Sequence, residues 1–179
     1  MPTLISGSTG VNKITDGTIV NADINASAAI AGSKISGSFG KVLQVVSVIS
    51  DTAVTVSTTS YTDISMSVAI TPAATSSKIL VIADLAATVY NNSASCVGQA
   101  QIVRTSTALS AKRFGYYAND AGTDNNWYAG VNMSYLDSPS TTSATTYKIQ
   151  AKAYGATSVT TESGGANGTS TLTLMEIAG

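Results

Sequence analysis

The sequence has no histidine, a single cysteine, a single tryptophan and few charged residues, which make up 11% of its 179 positions. An average soluble domain has about 25% charged residues. Without histidine the chain has no imidazole base or metal ligand, and it cannot form a Ser-His-Asp or Cys-His catalytic system. A lone cysteine excludes a disulfide within the chain. These absences predict a protein that is not an enzyme and holds no cofactor.

The charge balance and the apolar runs argue against two classes of partner. The net charge is −1, which gives no basic surface for a phosphate backbone, so no nucleic acid partner is expected. The longest apolar run, residues 79–89, contains Asp84 and Thr88. It is shorter than the roughly 18 residues of a membrane helix, so no membrane insertion is expected. The N-terminal residues lack the basic start and apolar core of a signal peptide, which predicts synthesis in the cytoplasm.

Serine, threonine and alanine are abundant, each present 25 times, and the pattern of apolar residues changes near Gly40. Residues 1–40 contain one aromatic and four charged residues, too few apolar groups for a core of their own. Their isoleucines recur every five or six positions, a spacing of neither helix nor strand: Ile14, Ile19, Ile24, Ile30 and Ile35. We predict an extended attachment segment in which three copies bring these isoleucines to a shared axis, forming a trimer stem. A disordered tail is the alternative.

Residues 41–179 show the short alternating runs of an antiparallel β-protein. In residues 64–70 and 147–153 apolar side chains occupy every second position, separated by two serines and an alanine in the first run and by lysines and a glutamine in the second. In residues 171–177 two threonines, a methionine and an isoleucine alternate with two leucines and a glutamate. Residues 78–89 are apolar on both alternating faces, which predicts a central strand covered on both sides. With further runs between them, about eight strands are expected and no helix. The prediction is an all-β fold, an antiparallel jelly-roll-like β-sandwich knob preceded by an extended N-terminal thread. Low charge on so much sheet also predicts association between copies.

Several segments resemble structural proteins of tailed bacteriophages. Residues 14–36, ITDGTIVNADINASAAIAGSKIS, resemble the thin linkers of tail fibres and related virion proteins. Residues 40–46, 70–72, 76–81 and 175–177 are similar to the small β-sandwich heads that follow such linkers. The resemblance implies a homotrimeric virion structural protein, made in the host cytoplasm. Its residues 1–40 would bind other virion proteins, and its residues 41–179 would form the outward knob.

Two functions follow from this resemblance and both stay open at this point. The first is a short tail fibre or fibre component at the tail or baseplate, whose knob attaches to a host-surface glycan or outer-membrane protein. The second is a trimeric capsid decoration protein anchored by its N-terminal segment. The sequence has no long repetitive shaft, which argues against a full-length fibre.

The region around residues 114–128 is the richest candidate binding site. Glycan sites combine aromatic faces with amides and carboxylates that bind hydroxyls. The candidate glycan-binding or receptor-binding residues here are Tyr116, Tyr117, Asn119, Asp120, Asp124, Asn125, Asn126, Trp127 and Tyr128. The alternative is a hairpin with core aromatics and an ordinary polar turn.

Other candidate chemistry is weak. Residues 120–126 lack the alternating ligands and closing glutamate of a calcium loop, so no metal is expected. The ten acidic residues are scattered and mark no glycosidase pair. Cys96 has no basic neighbour in sequence and is predicted to be a small core residue.

Overall fold

The computed structural model describes residues 42–50, 52–91, 95–117, 125–161 and 168–179, and the structural statements below concern those residues. The N-terminal stem prediction, with its five isoleucines, lies outside them and stays a prediction. The described ranges contain ten strands and no helix. They are β1 (Val42–Ser50), β2 (Val54–Val56), β3 (Thr62–Ile70), β4 (Lys78–Asn91), β5 (Ser95–Arg104), β6 (Thr107–Tyr117), β7 (Asn125–Asp137), β8 (Thr145–Ala153), β9 (Ser158–Thr161) and β10 (Ser170–Ile177).

The strands form two antiparallel sheets. The four-stranded sheet has the order β3-β8-β5-β6. In the six-stranded sheet, β7 pairs along one edge of β4, while β10 and β9 pair with successive parts of its other edge. Beyond them, β1 pairs with β10 and β2 with β9. The six strands therefore occupy only four positions across the sheet, which reconciles the ten observed strands with the expected eight.

The core lies between the two sheets and draws on the alternation seen in the sequence. In β3 the side chains of Ile64, Met66 and Ile70 are buried while their polar neighbours are exposed, as predicted. The same alternation appears in β8 and β10. Burying each large aliphatic side chain contributes roughly 1.5–3 kcal/mol to the stability of the fold. The apolar side chains at every second position therefore hold the two sheets face to face. Cys96 is buried in the same core, as expected.

The prediction for β4 was right about its position and wrong about its coverage. The strand is central, because it is paired on both edges. Its inward side chains, such as Ile79 and Val81, are fully buried. Its other face points away from the four-stranded sheet, and Ile82 on that face is 39% exposed. Within the described residues only one face of β4 has a sheet packed on it, so its second apolar face is left partly open to solvent.

Candidate functional site

The predicted aromatic site lies where β6 ends and β7 begins, at adjoining edges of the two sheets. Tyr116 on β6 and Trp127 on β7 contact each other, with ring centroids 5.1 Å apart and planes tilted by 52°. Tyr116 also lies opposite the buried Cys96. Trp127 is 45% exposed. The pair therefore joins the sheet edges and still presents part of an aromatic surface.

Tyr128 does not extend this pair. It follows Trp127 on an alternating strand and so faces the opposite side of β7, beside Thr88. Its side chain is 63% exposed, and Asn126 is exposed on that same side. The structure thus brings together Tyr116 and Trp127 and separates Tyr128 from them.

The remaining candidates are only partly described. Tyr117 and Asn125 are the last residue of β6 and the first residue of β7. Asn119, Asp120 and Asp124 lie outside the described residues. Their proposed part in a glycan site stays a prediction.

A second arrangement of aromatic and charged side chains lies on the outer face of the four-stranded sheet. The Arg113 guanidinium carbon lies 3.9 Å from the centre of the Tyr154 ring. The Lys152 ammonium lies 5.5 Å from that same centre and 4.4 Å from the centre of the Tyr61 ring. We call these four residues, Tyr61, Arg113, Lys152 and Tyr154, the cationic patch. Two positive charges thus share one aromatic ring.

Strand register assembles the cationic patch. Gln99 on β5 lies opposite Arg113 on β6 and also opposite Lys152 on β8. The three polar side chains therefore form one row across neighbouring strands. Burial raises the pKa of Tyr61, and the Arg113 charge opposes part of this rise. Tyr61 is therefore a neutral phenol at neutral pH.

The charged side chains next to the patch, unlike those within it, form an ion pair with each other. Lys148 forms an ion pair with Asp63 at 2.8 Å, and Gln150 donates a hydrogen bond to the same carboxylate. These hydrogen bonds hold the pKa of Asp63 below its usual value. Among the described residues the only other ion pair joins Arg104 and Asp137. Neither Arg113 nor Lys152 has a carboxylate partner there.

A pocket of about 240 Å³ opens beside the ion pair between Lys148 and Asp63. Its lining includes Asp63, Ser65 and Lys148. Asp63 is already bound by Lys148 and Gln150, and the lining holds no second carboxylate. The pocket therefore lacks the pair of carboxyl groups used in glycoside hydrolysis. In the described part of the chain, no three acidic or thiol side chains gather as metal ligands.

Sequence reasoning missed the cationic patch because its members come from distant segments. The alternation of Lys148, Gln150 and Lys152 along β8 was visible and correctly indicates one polar face. Nothing in the sequence places Arg113 beside that face, since this depends on the pairing of β5 with both β6 and β8. Tyr154 follows the end of β8, so no alternation within a strand indicated its position.

The outer face of the six-stranded sheet carries an apolar row. Val45 lies opposite Met175, Met175 opposite Leu80, and Leu80 opposite Leu136, so the row crosses β1, β10, β4 and β7. We call these four residues the apolar row. Val45 and Leu136, at its two ends, are each 53% exposed. Met175 and Leu80 between them are partly buried, and a contiguous apolar surface that reaches solvent is typical of interaction sites.

In the ranges that the structure describes, no helix has the length and apolar character needed to span a membrane. Comparison with known proteins adds no family: no protein-family model matches the chain, and no curated protein matches it.

Proposed function

We propose that the chain is a non-enzymatic, homotrimeric structural protein of a bacteriophage virion, a short tail fibre whose C-terminal β-sandwich attaches to the host surface. The observation that carries the proposal is the apolar row, which equips the sandwich for assembly with its own copies. The resemblance of residues 14–36 to fibre linkers supports the virion setting.

The strand order supports a jelly-roll assignment for the sandwich. With β1/β2 and β9/β10 each taken as one interrupted strand, the sheets have the orders β1/β2-β9/β10-β4-β7 and β3-β8-β5-β6. Successive strands change sheet at every step except the β5–β6 hairpin. Eight strands in two sheets with this type of crossing connection describe a jelly roll, an architecture found in viral capsid and lectin domains.

The apolar row supports assembly with second and third copies of this chain. It spans all four positions of its sheet, so it is a continuous surface rather than one stray side chain. β1 begins at Val42, three residues before Val45, so residues 1–41 join the sandwich close to one end of the row. A stem that holds three chains together would therefore bring their apolar rows near one another. Burial between copies would also cover the second face of β4, which the sequence indicates is apolar.

Host attachment is the second half of the proposal. Trp127 and Tyr128 are exposed aromatic residues near the start of β7, just after the connection from β6. Aromatic faces bind the C–H surfaces of sugars, and several weak sites on a trimer multiply affinity. These residues are the candidates for glycan contact at that end of the knob.

Immunogold labelling of intact particles tests the virion role. An antibody against the sandwich, residues 41–179, is expected to label the tail or baseplate. Label over the head would instead favour the capsid decoration function. Absence of label from every particle, with a positive signal on denatured particles, would overturn both.

A further inference from the structure

We propose that the cationic patch binds the carboxylate groups of an acidic polysaccharide. This inference rests on the proposed attachment function for its biological role, and it names the class of host-surface ligand. It assigns binding to a face of the sandwich different from the aromatic end.

The two positive charges of the patch favour the binding of an anion. Arg113 and Lys152 both lie within 6 Å of the centre of the Tyr154 ring, so two positive charges approach the same small region of surface. Like charges held close together repel, and an anion placed between them relieves the repulsion. Among the described residues no carboxylate takes this role. Asp63 is bound by Lys148 and Asp137 by Arg104, while Glu176 is buried and Asp84 lies on β4 of the other sheet.

The geometry of the patch leaves the right donors free. The Arg113 guanidinium carbon lies 3.9 Å from the centre of the Tyr154 ring, and among the described residues no carboxylate pairs with its N–H donors. Those donors match a carboxylate in a two-point contact. Lys152 adds a second cation, its ammonium 5.5 Å from the centre of that ring. Gln99, in the row between the two cations, offers an amide donor and acceptor for hydroxyl groups.

The aromatic rings make a sugar the better match than a simple anion. Tyr154 and Tyr61 present ring surfaces beside the cations, and such surfaces bind the C–H faces of sugar rings. A uronic acid combines a sugar face and a carboxylate in one residue. A polymer of such residues would also engage several patches of one trimer at once.

The patch is on the side of the sandwich away from the apolar row. The patch lies on the outer face of the four-stranded sheet, and the apolar row lies on the outer face of the six-stranded sheet. Assembly through the apolar row therefore leaves the patch accessible on each copy. One face serves self-association and the other serves the ligand.

Binding of the purified full chain to immobilised polygalacturonate, alginate and polysialic acid tests the inference. We expect binding to at least one of these that weakens as salt is raised. Arg113→Gln and Lys152→Gln are each expected to weaken it by about tenfold, the range of one charge-assisted hydrogen bond. Lys148→Gln is the matched control, since it removes the same charge from the same face of β8, and its effect should stay within about twofold.

Three outcomes would overturn the inference: no binding to any of the three polymers, equal losses in Lys148→Gln and Arg113→Gln, or undiminished binding to a carboxyl-reduced form of the same polymer. Unchanged thermal unfolding shows that each variant is folded. The result is separate from the proposed virion role, because polymer binding is measured on purified protein and particle labelling on virions. If the protein binds a polymer but the particles show no label, the inference about the cationic patch is kept and the proposed fibre role is rejected. If the particles are labelled but no polymer binds, the fibre role is kept and the inference about the patch is rejected.

Discussion

The hydroxyl of Tyr147 donates a 2.7 Å hydrogen bond to Oδ2 of Asp137, and this bond joins the two sheets. Tyr147 is on β8 of the four-stranded sheet and Asp137 is on β7 of the six-stranded sheet. Arg104 on β5 donates to both oxygens of the same carboxylate, at 2.9 and 2.8 Å. Burial, then the hydrogen bond to Asp137 and the charge of that carboxylate, raise the pKa of Tyr147 well above its usual range. The tyrosine therefore stays protonated and acts as a donor.

Tyr147→Phe is expected to lower the free energy of unfolding by about 1–3 kcal/mol, because it removes a donor from a buried carboxylate. Asp137→Asn should cost more, since it also removes the ion pair with Arg104. Urea unfolding at one fixed protein concentration measures both. Tyr128→Phe is the control, because its hydroxyl belongs to an exposed side chain. Equal stability of Tyr147→Phe and Tyr128→Phe would contradict a structural role for the bond between the sheets.

Acid is expected to destabilise the sandwich through Glu176. This side chain is fully buried on β10, and it accepts hydrogen bonds from Gln44 Nε2 at 2.6 Å and from the Ala73 N–H at 2.7 Å. Burial by itself would raise the pKa of Glu176, but the neighbouring Ser77 hydroxyl, and then the hydrogen bonds from Gln44 and Ala73, outweigh it and hold the pKa below its usual value. The folded state thus favours the ionised form more than the unfolded state does. The resulting stability is present above the usual pKa of a glutamate and is lost as the pH falls through the lowered pKa of the folded state.

The variant Glu176→Gln tests this pH dependence. At neutral pH it should lose about 1–3 kcal/mol, because its amide cannot accept both hydrogen bonds. Its stability should then fall less steeply than that of the wild type as acid is added. Asp63→Asn is the control, since Asp63 is largely exposed and its ion pair contributes little. Parallel pH profiles for the wild type and Glu176→Gln would refute the assignment.

A glycine on β6 holds a conformation that other residues avoid. Gly115 has φ of +106°, and a Cβ built there would lie 1.9 Å from the carbonyl oxygen of Cys96. Gly115→Ala is therefore expected to destabilise the sandwich by more than about 2 kcal/mol, since both the backbone angle and the contact are unfavourable. Gly130→Ala is the matched control on β7, where an added Cβ meets no atom within 4 Å. Thermal unfolding compares the two, and a similar midpoint for both would contradict the argument.

Cys96 is expected to be chemically silent in the folded protein. Its side chain is buried, and burial raises the pKa of the thiol, so both access and thiolate content are low. A thiol reagent such as Ellman's reagent should react slowly with the native chain and rapidly after denaturation. The single cysteine makes the signal unambiguous. Equal rates in both states would show that the core around β5 is open.

The sequence was most informative about features that depend on the alternation of side chains within a single strand. Ile64 and Met66 could be assigned to the core from the two-residue period alone, because one face of β3 is buried and the other is not. Trp127 and Tyr128 could be named as candidates, but the period of the same strand separates them onto opposite faces. Residues 1–41 lie outside the described residues, so the stem stays a prediction.

What the sequence could not supply was the pairing between strands. Arg113 and Lys152 lie 39 positions apart in the chain and meet only because both flank β5. The apolar row likewise draws Val45 and Met175 from opposite ends of the sandwich domain. Composition carries no information on such registers. The apolar second face of β4 was visible in the sequence and predicted cover on both sides, whereas Ile82 on that face is partly exposed.

The final prediction concerns the apolar row. We expect the sandwich to contribute to the trimer together with the stem. Leu136→Lys places a charge at an exposed end of the row, where it should leave the isolated fold intact and oppose burial against another copy. Sedimentation velocity at micromolar concentration is expected to show a trimer for the wild type and a shift towards smaller species for Leu136→Lys. Ser106→Lys, in the exposed turn between β5 and β6, adds the same charge away from the row and should sediment like the wild type. A monomeric wild type would remove the trimer altogether, whereas an unchanged Leu136→Lys trimer would assign assembly to residues 1–41 alone.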